Sequence, residues 1–239
     1  MDLTLLSLGF LIGMRHALDT DHLAAVASLA TRDRTMGDTI RQGAIWGVGH
    51  TLTLFLFGSL VLLLDAVIPQ TLAAALEFMV GLMLLALGID VLRRLLRDRI
   101  HFHRHRHADG TLHFHAHSHS GECGHPAVHV HQHRGPQAFP LRALLVGMMH
   151  GMAGSAALIL LTLQAVQTPL AGIAYIALFG IGSIAGMALL SVIIAVPLRY
   201  SATSLTWMHN GLQAAIGIIT VAIGGVIVYD TGIVGSLFA

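Results

Sequence analysis

The chain has no lysine; its thirteen basic side chains are all arginine. Charged residues make up only 10% of its 239 positions, too few to clothe the surface of a soluble domain of this length. Cys123 is the only cysteine, which excludes an intrachain disulfide. No G-x4-G-K-[ST] segment is present, so there is no phosphate-cradling loop of that type, and coupling to ATP would need another subunit. The H-E-x-x-H pattern is missing too, and no glutamate lies beside His16 or His22 to act as a general base. These absences argue against an enzyme, and no nucleic-acid partner is expected. Met1 and Asp2 lead straight into apolar residues without the basic region of a cleavable signal peptide, so the first apolar segment is expected to remain as a helix.

What the chain has instead is 55% apolar residues in long runs. Spans are predicted at about 3–28, 40–64, 71–97, 141–166, 169–197 and 208–229, each near or above the roughly 20 residues that cross a hydrocarbon core. The arginines fall in alternate connections. Arg32, Arg34 and Arg41 follow the first span, and Arg93, Arg94, Arg97, Arg99, Arg104, Arg106, Arg134 and Arg142 surround the third connection. Arg199 follows the fifth span, and only Arg15 stands apart. Positive charge favours the cytoplasmic side, which predicts a multi-pass protein of the plasma (inner) membrane with both termini outside.

The glycines carry an order. Gly13-Met14-Arg15-His16 returns as Gly147-Met148-Met149-His150, and Gly47-Val48-Gly49 returns as Gly180-Ile181-Gly182. Gly81 and Gly88 match Gly217 and Gly224. The offsets of 134, 133 and 136 hardly drift. Three spans per copy is an odd number, so the second copy would be inverted, an architecture of transporters with a site at mid-membrane. The expected fold is therefore all-α and polytopic: six transmembrane helices in two inverted three-helix repeats, 1–99 and 140–239, joined by a His-rich cytoplasmic loop, 100–139.

Ionisable groups inside a span are costly and usually functional. His16, Asp19, Asp21 and His22 lie within seven residues of the first span, and an imidazole-rich set with carboxylate help suits nickel, cobalt or zinc. On a regular helix His16, Asp19 and His22 form a stripe and Asp21 points away. Either the helix breaks there and Asp21 joins both histidines, or it stays regular, with Asp19 as ligand and Asp21 behind it as a partner of a ligand or of Arg15. His50, behind Gly47 and Gly49 and ahead of Thr51 and Thr53, is a further candidate ligand. His150, Asp19 and Arg15 are candidates for the coordination sphere or its supporting groups. His209 sits close to an interface and is weighed against function, and Asp90 would pair with Arg93 or Arg94. Asp65 and Asp230 lie at outer span ends. The repeat alignment sets Asp19, Asp21, His22 and His50 against Ala153, Ser155, Ala156 and Ser183, which predicts an asymmetric site built mainly by the first two spans.

The pattern H-x4-D-H, made by His16, Asp21 and His22 within Arg-His-Ala-Leu-Asp-Thr-Asp-His, resembles the signature of the nickel/cobalt permease family. The whole chain is similar to its short six-span branch associated with urease maturation. That resemblance implies that His16, Asp21 and His22 bind the ion during transport, and it implies a role for His50 as well. The larger permeases have eight spans and a later Asp-containing motif; the corresponding segment here, Gly147-Met-Met-His-Gly-Met-Ala-Gly-Ser, has no carboxylate.

Between the third and fourth spans stand His101, His103, His105, His107, His113, His115, His117, His119, His125, His129, His131 and His133, with Cys123 among them. Repeated His-x-His binds transition metals by composition, whereas a generic linker would use Ser, Gly, Lys and Glu. A hairpin turn of odd length around Asp109-Gly110 would set His101, His103, His105 and His107 opposite His119, His117, His115 and His113. Imidazole binds metal when neutral, so capture would weaken as pH falls through about 6.5.

The expected activity is uptake of Ni2+, with Co2+ next and Zn2+ compatible, across the lipid bilayer, and with a cytoplasmic metallochaperone as partner. No prosthetic group is expected, because the ion is cargo. Export for metal tolerance, a fixed-ligand intramembrane metalloenzyme and a metal-storing scaffold are the rival readings.

Overall fold

The computed structural model describes residues 3–32, 35–64, 69–97, 100–106, 112–118, 140–165, 168–204 and 206–234. Its helices follow the apolar runs. They are α1 (Leu3–His16), α2 (Thr20–Ala30), α3 (Met36–Leu64), α4 (Gln70–Arg97), α5 (Leu141–Ala165), α6 (Pro169–Ser204) and α7 (Thr206–Tyr229), the last closed by a π turn at Asp230–Val234. Among the described residues, four stretches are long and apolar enough to cross a membrane: Met36–Leu64, Gln70–Arg97, Leu170–Ser201 and Trp207–Gly232. The fold is that of a multi-pass helical membrane protein.

The predicted first span is not one helix. α1 stops at His16, and α2 begins at Thr20. At about 1.5 Å per residue, neither is long enough to cross a hydrocarbon core of roughly 30 Å alone. The tight bonds Leu18 N–H to the Arg15 carbonyl (2.9 Å) and Asp19 N–H to the His16 carbonyl (3.0 Å) close the end of α1. Asp19 then turns extended, at φ −61° and ψ 147°, before α2. A second difference is α6, which runs through Pro197 to Ser204, beyond the end expected at 197. A proline inside a membrane helix is tolerated when neighbouring helices hold the chain on both sides of it.

The connection after α4 contains an antiparallel ribbon, β1 (Ile100–Arg106) with β2 (Leu112–Ser118). Histidine does stand opposite histidine, but two residues from the expected register: His101 pairs with His117, His103 with His115 and His105 with His113. The joining loop is 107–111 and not 108–112, and an even shift of this kind preserves the alternation along each strand. His107, His119, Cys123, His125, His129, His131 and His133 lie outside the described residues, as does Asp65.

Small residues let the helices meet backbone to backbone. A methyl group on Gly13 would fall on the Phe179 carbonyl oxygen, and one on Gly147 on the Trp46 carbonyl oxygen. The order of such contacts fixes direction. Gly9 meets Tyr175 and Gly13 meets Phe179, so α1 and α6 run parallel. Gly147 meets Trp46 and Gly151 meets the His50 carbonyl, so α3 and α5 also run parallel. Gly43 meets Ser191 and Gly180 meets Thr51, so α3 and α6 run antiparallel, as do α4 and α7.

α2 is attached differently, by Ser28 Oγ to Thr220 Oγ1 (2.9 Å) and by an arginine node. Asp90 accepts from Arg32 (2.6 Å) and Arg142 (3.3 Å) and pairs with Arg94 (3.4 Å), tying the end of α2 to α4 and the start of α5. The pairing expected for Asp90 is thus made by Arg94.

Gly13→Leu and Gly147→Leu should each lower the thermal midpoint of the detergent-solubilised protein, by about 1–3 kcal/mol of overpacking or more. Gly211→Leu, at a position where a methyl would meet nothing within 4 Å, should leave it unchanged in the same scan.

Candidate metal centre

The break at Ala17–Asp19 decides which side chains meet. An aspartate at a helix N-cap normally accepts from the first backbone N–H groups of the helix. Asp19 makes no such cap bond. Its Oδ2 lies 2.7 Å from His16 Nδ1. An ionised carboxylate only accepts, so His16 Nδ1–H is the donor and a neutral His16 keeps its lone pair on Nε2. Asp21, in the first turn of α2, works the same way on His22, with Oδ1 3.1 Å from His22 Nδ1. Its other oxygen, Oδ2, lies 2.6 Å from His150 Nε2, a donor from α5. The carboxylates thus set the tautomers and aim the rings, as they commonly do behind metal-ligating histidines.

Three helical segments bring the imidazoles together. Ring centroids of His16 and His22 are 4.4 Å apart, of His22 and His50 5.1 Å, and of His16 and His50 5.4 Å. One ring nitrogen from each of these three lies within 4.8 Å of the others. A second set of the same tightness joins Asp21, His22 and His150, with His22 shared. His22, His50 and His150 are buried. Among the described residues, His16 Nε2, His22 Nε2, His150 Nδ1 and both nitrogens of His50 have no hydrogen-bond partner. A buried polar atom without a partner costs about 1–3 kcal/mol, and here such atoms converge. Nitrogens around one ion at about 2.0–2.1 Å lie roughly 3.4 Å apart, so ligation would need an inward shift of no more than about 1 Å.

Of the residues singled out from the sequence, His16, Asp21, His22, His50 and His150 come together, and Asp19 stands behind His16. Arg15 is exposed, and the carboxylate of Asp21 is taken by His22 and His150. Asp230 is also exposed. His209 bonds Ser201, the Leu198 carbonyl and Gln213, none of them in the cluster. Ser155 and Ala156 have no described side chains, and Ser183 donates to the Gly13 carbonyl at 3.2 Å.

Two aromatic walls were not singled out from the sequence. The buried Trp46 ring lies 5.5 Å from His22 and 5.8 Å from His150, and the Phe179 ring lies 5.3 Å from His16. A signal for both was present: each immediately precedes a Gly-x-Gly element, Gly47-Val48-Gly49 and Gly180-Ile181-Gly182.

Fold and cluster together define a multi-pass helical membrane protein with imidazoles gathered at a broken helix. Compared with known proteins, the chain is 32% identical over 238 residues to the urease accessory protein UreH of Bacillus sp. (strain TB-90), covering 99% of this chain and 95% of that one. It belongs to the UreH family, and its Arg15-to-His22 motif resembles the signature of the nickel/cobalt permeases. No family model matches the chain, and no solved structure does.

Nitrogen NMR of histidine-labelled protein at pH 8, free of metal, should show His22 as the Nδ1–H tautomer with a bare Nε2. In Asp21→Asn that assignment should dissolve into a mixture of tautomers, while His16, held by Asp19, keeps its own.

Proposed function

We propose that this chain is a permease that carries a divalent transition-metal ion, Ni2+ first and Co2+ next, through the bilayer into the cytoplasm. The observation that carries the reading is the convergence of partnerless, buried imidazole nitrogens from His16, His22 and His50. Neutral imidazoles suit nickel, cobalt and zinc, and family membership favours the urease metal within that group. Asp21 serves as the acceptor that orients His22 and His150, with Asp19 doing the same for His16. Moving inward, a divalent cation gains about 4.6 kcal/mol per 100 mV of interior-negative potential, so uptake needs no ATP.

The architecture is read as six spans in two inverted repeats, α1 with α2, α3 and α4, then α5, α6 and α7. Support comes from paired contacts. The approach of Gly13 to Phe179 is repeated, at offsets of 134 and 133, by that of Gly147 to Trp46. Likewise Gly182 approaches the Phe10 carbonyl as Gly49 approaches that of Leu144. The parallel and antiparallel packings agree with a second copy turned over. The arginine distribution favours both termini outside and the histidine-rich loop in the cytoplasm. There the opposed histidines of β1 and β2 would hold incoming ions, together with His107, His119, Cys123 and the histidines beyond. A metallochaperone is the partner expected on that side.

Uptake of radiolabelled nickel into proteoliposomes of pure protein tests this directly. His22→Ala should abolish flux, and Asp21→Asn should weaken metal binding about 10- to 100-fold in equilibrium dialysis. Deletion of 101–133 should leave flux and lower the amount of metal bound. Wild-type protein carrying no flux under any gradient would overturn the permease.

A further inference from the structure

The imidazole cluster lies between two aromatic rings that hold matching places in the two repeats proposed above. Trp46 stands four residues before His50 on α3, and Phe179 stands four before Ser183, the residue aligned with His50, on α6. Each is seated by the same kind of contact: Gly147 of α5 packs on the Trp46 carbonyl, and Gly13 of α1 on that of Phe179. Because α3 and α6 run antiparallel, one turn back along each leads toward opposite ends of the bundle. Gly180 meets Thr51, so Phe179 stands level with Leu52, about six residues or roughly 9 Å along α3 from Trp46. The imidazoles lie in that interval. Phe179 is 5.3 Å from His16, and Trp46 is 5.5 Å from His22 and 5.8 Å from His150.

The two closures are unequal. The His16 side chain, beside Phe179, is 19% exposed, and that of His22, beside Trp46, is 2% exposed. Past Trp46, toward the Met36 end of α3, the next space is a void of about 10 Å3 lined in part by Thr39, Gln42 and Ser191. That is near the least that holds one water, so no ion passes unless the indole moves. Trp46 Nε1–H is buried and has no hydrogen-bond partner among the described residues. Phenylalanine would fill the same space without stranding a donor, so packing alone does not account for an indole here. Turned into the void, the N–H would face the oxygens of Thr39, Gln42 and Ser191.

We infer that Trp46 and Phe179 are the paired gates of the ion path, Phe179 closing the imidazole cluster toward the outside and Trp46 toward the cytoplasm. The inference rests on the permease reading and on its assignment of the Met36 end of α3 to the cytoplasm. Under rocking of one repeat against the other, a contact loosened on one face is tightened on the opposite one, which gives the gates opposite phase. In the arrangement described above, the Trp46 gate is shut.

The test uses His50→Cys as a reporter within the cluster, in a Cys123→Ser background. A charged methanethiosulfonate reagent is applied to right-side-out or inside-out membrane vesicles, and it reacts with a thiolate only where water reaches it. Trp46→Ala should speed labelling from the cytoplasmic face at least about tenfold and should not raise the rate from the outer face. Phe179→Ala should do the reverse, and Trp46→Phe, which keeps a ring, should label as slowly as the parent. Acceleration from both faces by either variant would mean general loosening. No acceleration from the assigned face would mean that the rings do not close the path, and either result overturns the inference. A second measurement leaves the gates intact: in Trp207→Phe, Trp46 is the single indole, and its emission reports on it directly. Zn2+, with its filled d shell, should raise quenching of that emission by iodide added at the cytoplasmic face, and His22→Ala should abolish the rise. Quenching unchanged by zinc in protein that carries zinc would overturn the Trp46 gate. Labelling does not depend on flux: side-specific acceleration without nickel uptake by the wild-type protein in proteoliposomes would refute the permease and keep the two closures. Uptake with unaltered labelling would do the opposite.

Discussion

One carboxylate ties the structure together. Asp21 accepts from His22 on its own helix and from His150 on α5, and so joins the broken first segment to the second half of the chain. Both partners are buried, and each keeps a nitrogen without a partner. Without Asp21, two imidazoles would lose their fixed tautomer, and the break at Ala17–Asp19 would have no tertiary purpose. The tight turn, the uncapped start of α2 and the diversion of Asp19 to His16 are the local costs of bringing that carboxylate into place.

Those costs are bearable because the surrounding bundle is tightly packed. Glycines bring α1 to α6 and α3 to α5 so closely that side chains cannot intervene, and hydroxyl donors add directed bonds from α3 to α5 and to α6. Thr53 Oγ1 reaches the Met148 carbonyl at 3.0 Å and Thr51 Oγ1 the Gly180 carbonyl at 3.0 Å. In hydrocarbon the hydrophobic effect does not drive helices together, so close packing and such bonds must hold them. His50 owes its position to this: Gly151 packs on its carbonyl, and its ring is left facing His16 and His22.

Much of this was legible in the residues, for reasons that differ by feature. Helix positions followed from apolar runs, and the crowding of His16, Asp19, Asp21 and His22 marked the site because charge inside a span is rarely accidental. The choice between a broken and a regular helix was not legible, since Ala17, Leu18 and Asp19 include neither glycine nor proline; the break is imposed by partners distant in sequence. His150 was a candidate only through the repeat of Gly13-Met14-Arg15-His16, because its bond to Asp21 spans 129 positions and leaves no local pattern. In the ribbon, alternation of histidine predicted that like would face like, but alternation is unchanged by a shift of two residues. Only the turn sets the register, and its sequence did not single out one placement.

The helices differ in what holds them. α1, α3, α4, α5, α6 and α7 are locked by backbone contacts at glycine, where sliding means lifting one helix over another. α2 spans eleven residues, follows a linker of three and contains no glycine; it is held by its buried apolar face, the Asp21–His150 bond, a hydroxyl pair and the arginines around Asp90. The short arm that carries Asp21 and His22 is therefore seated by side chains alone, so substitutions along it reshape the cluster without touching a glycine seam of the frame.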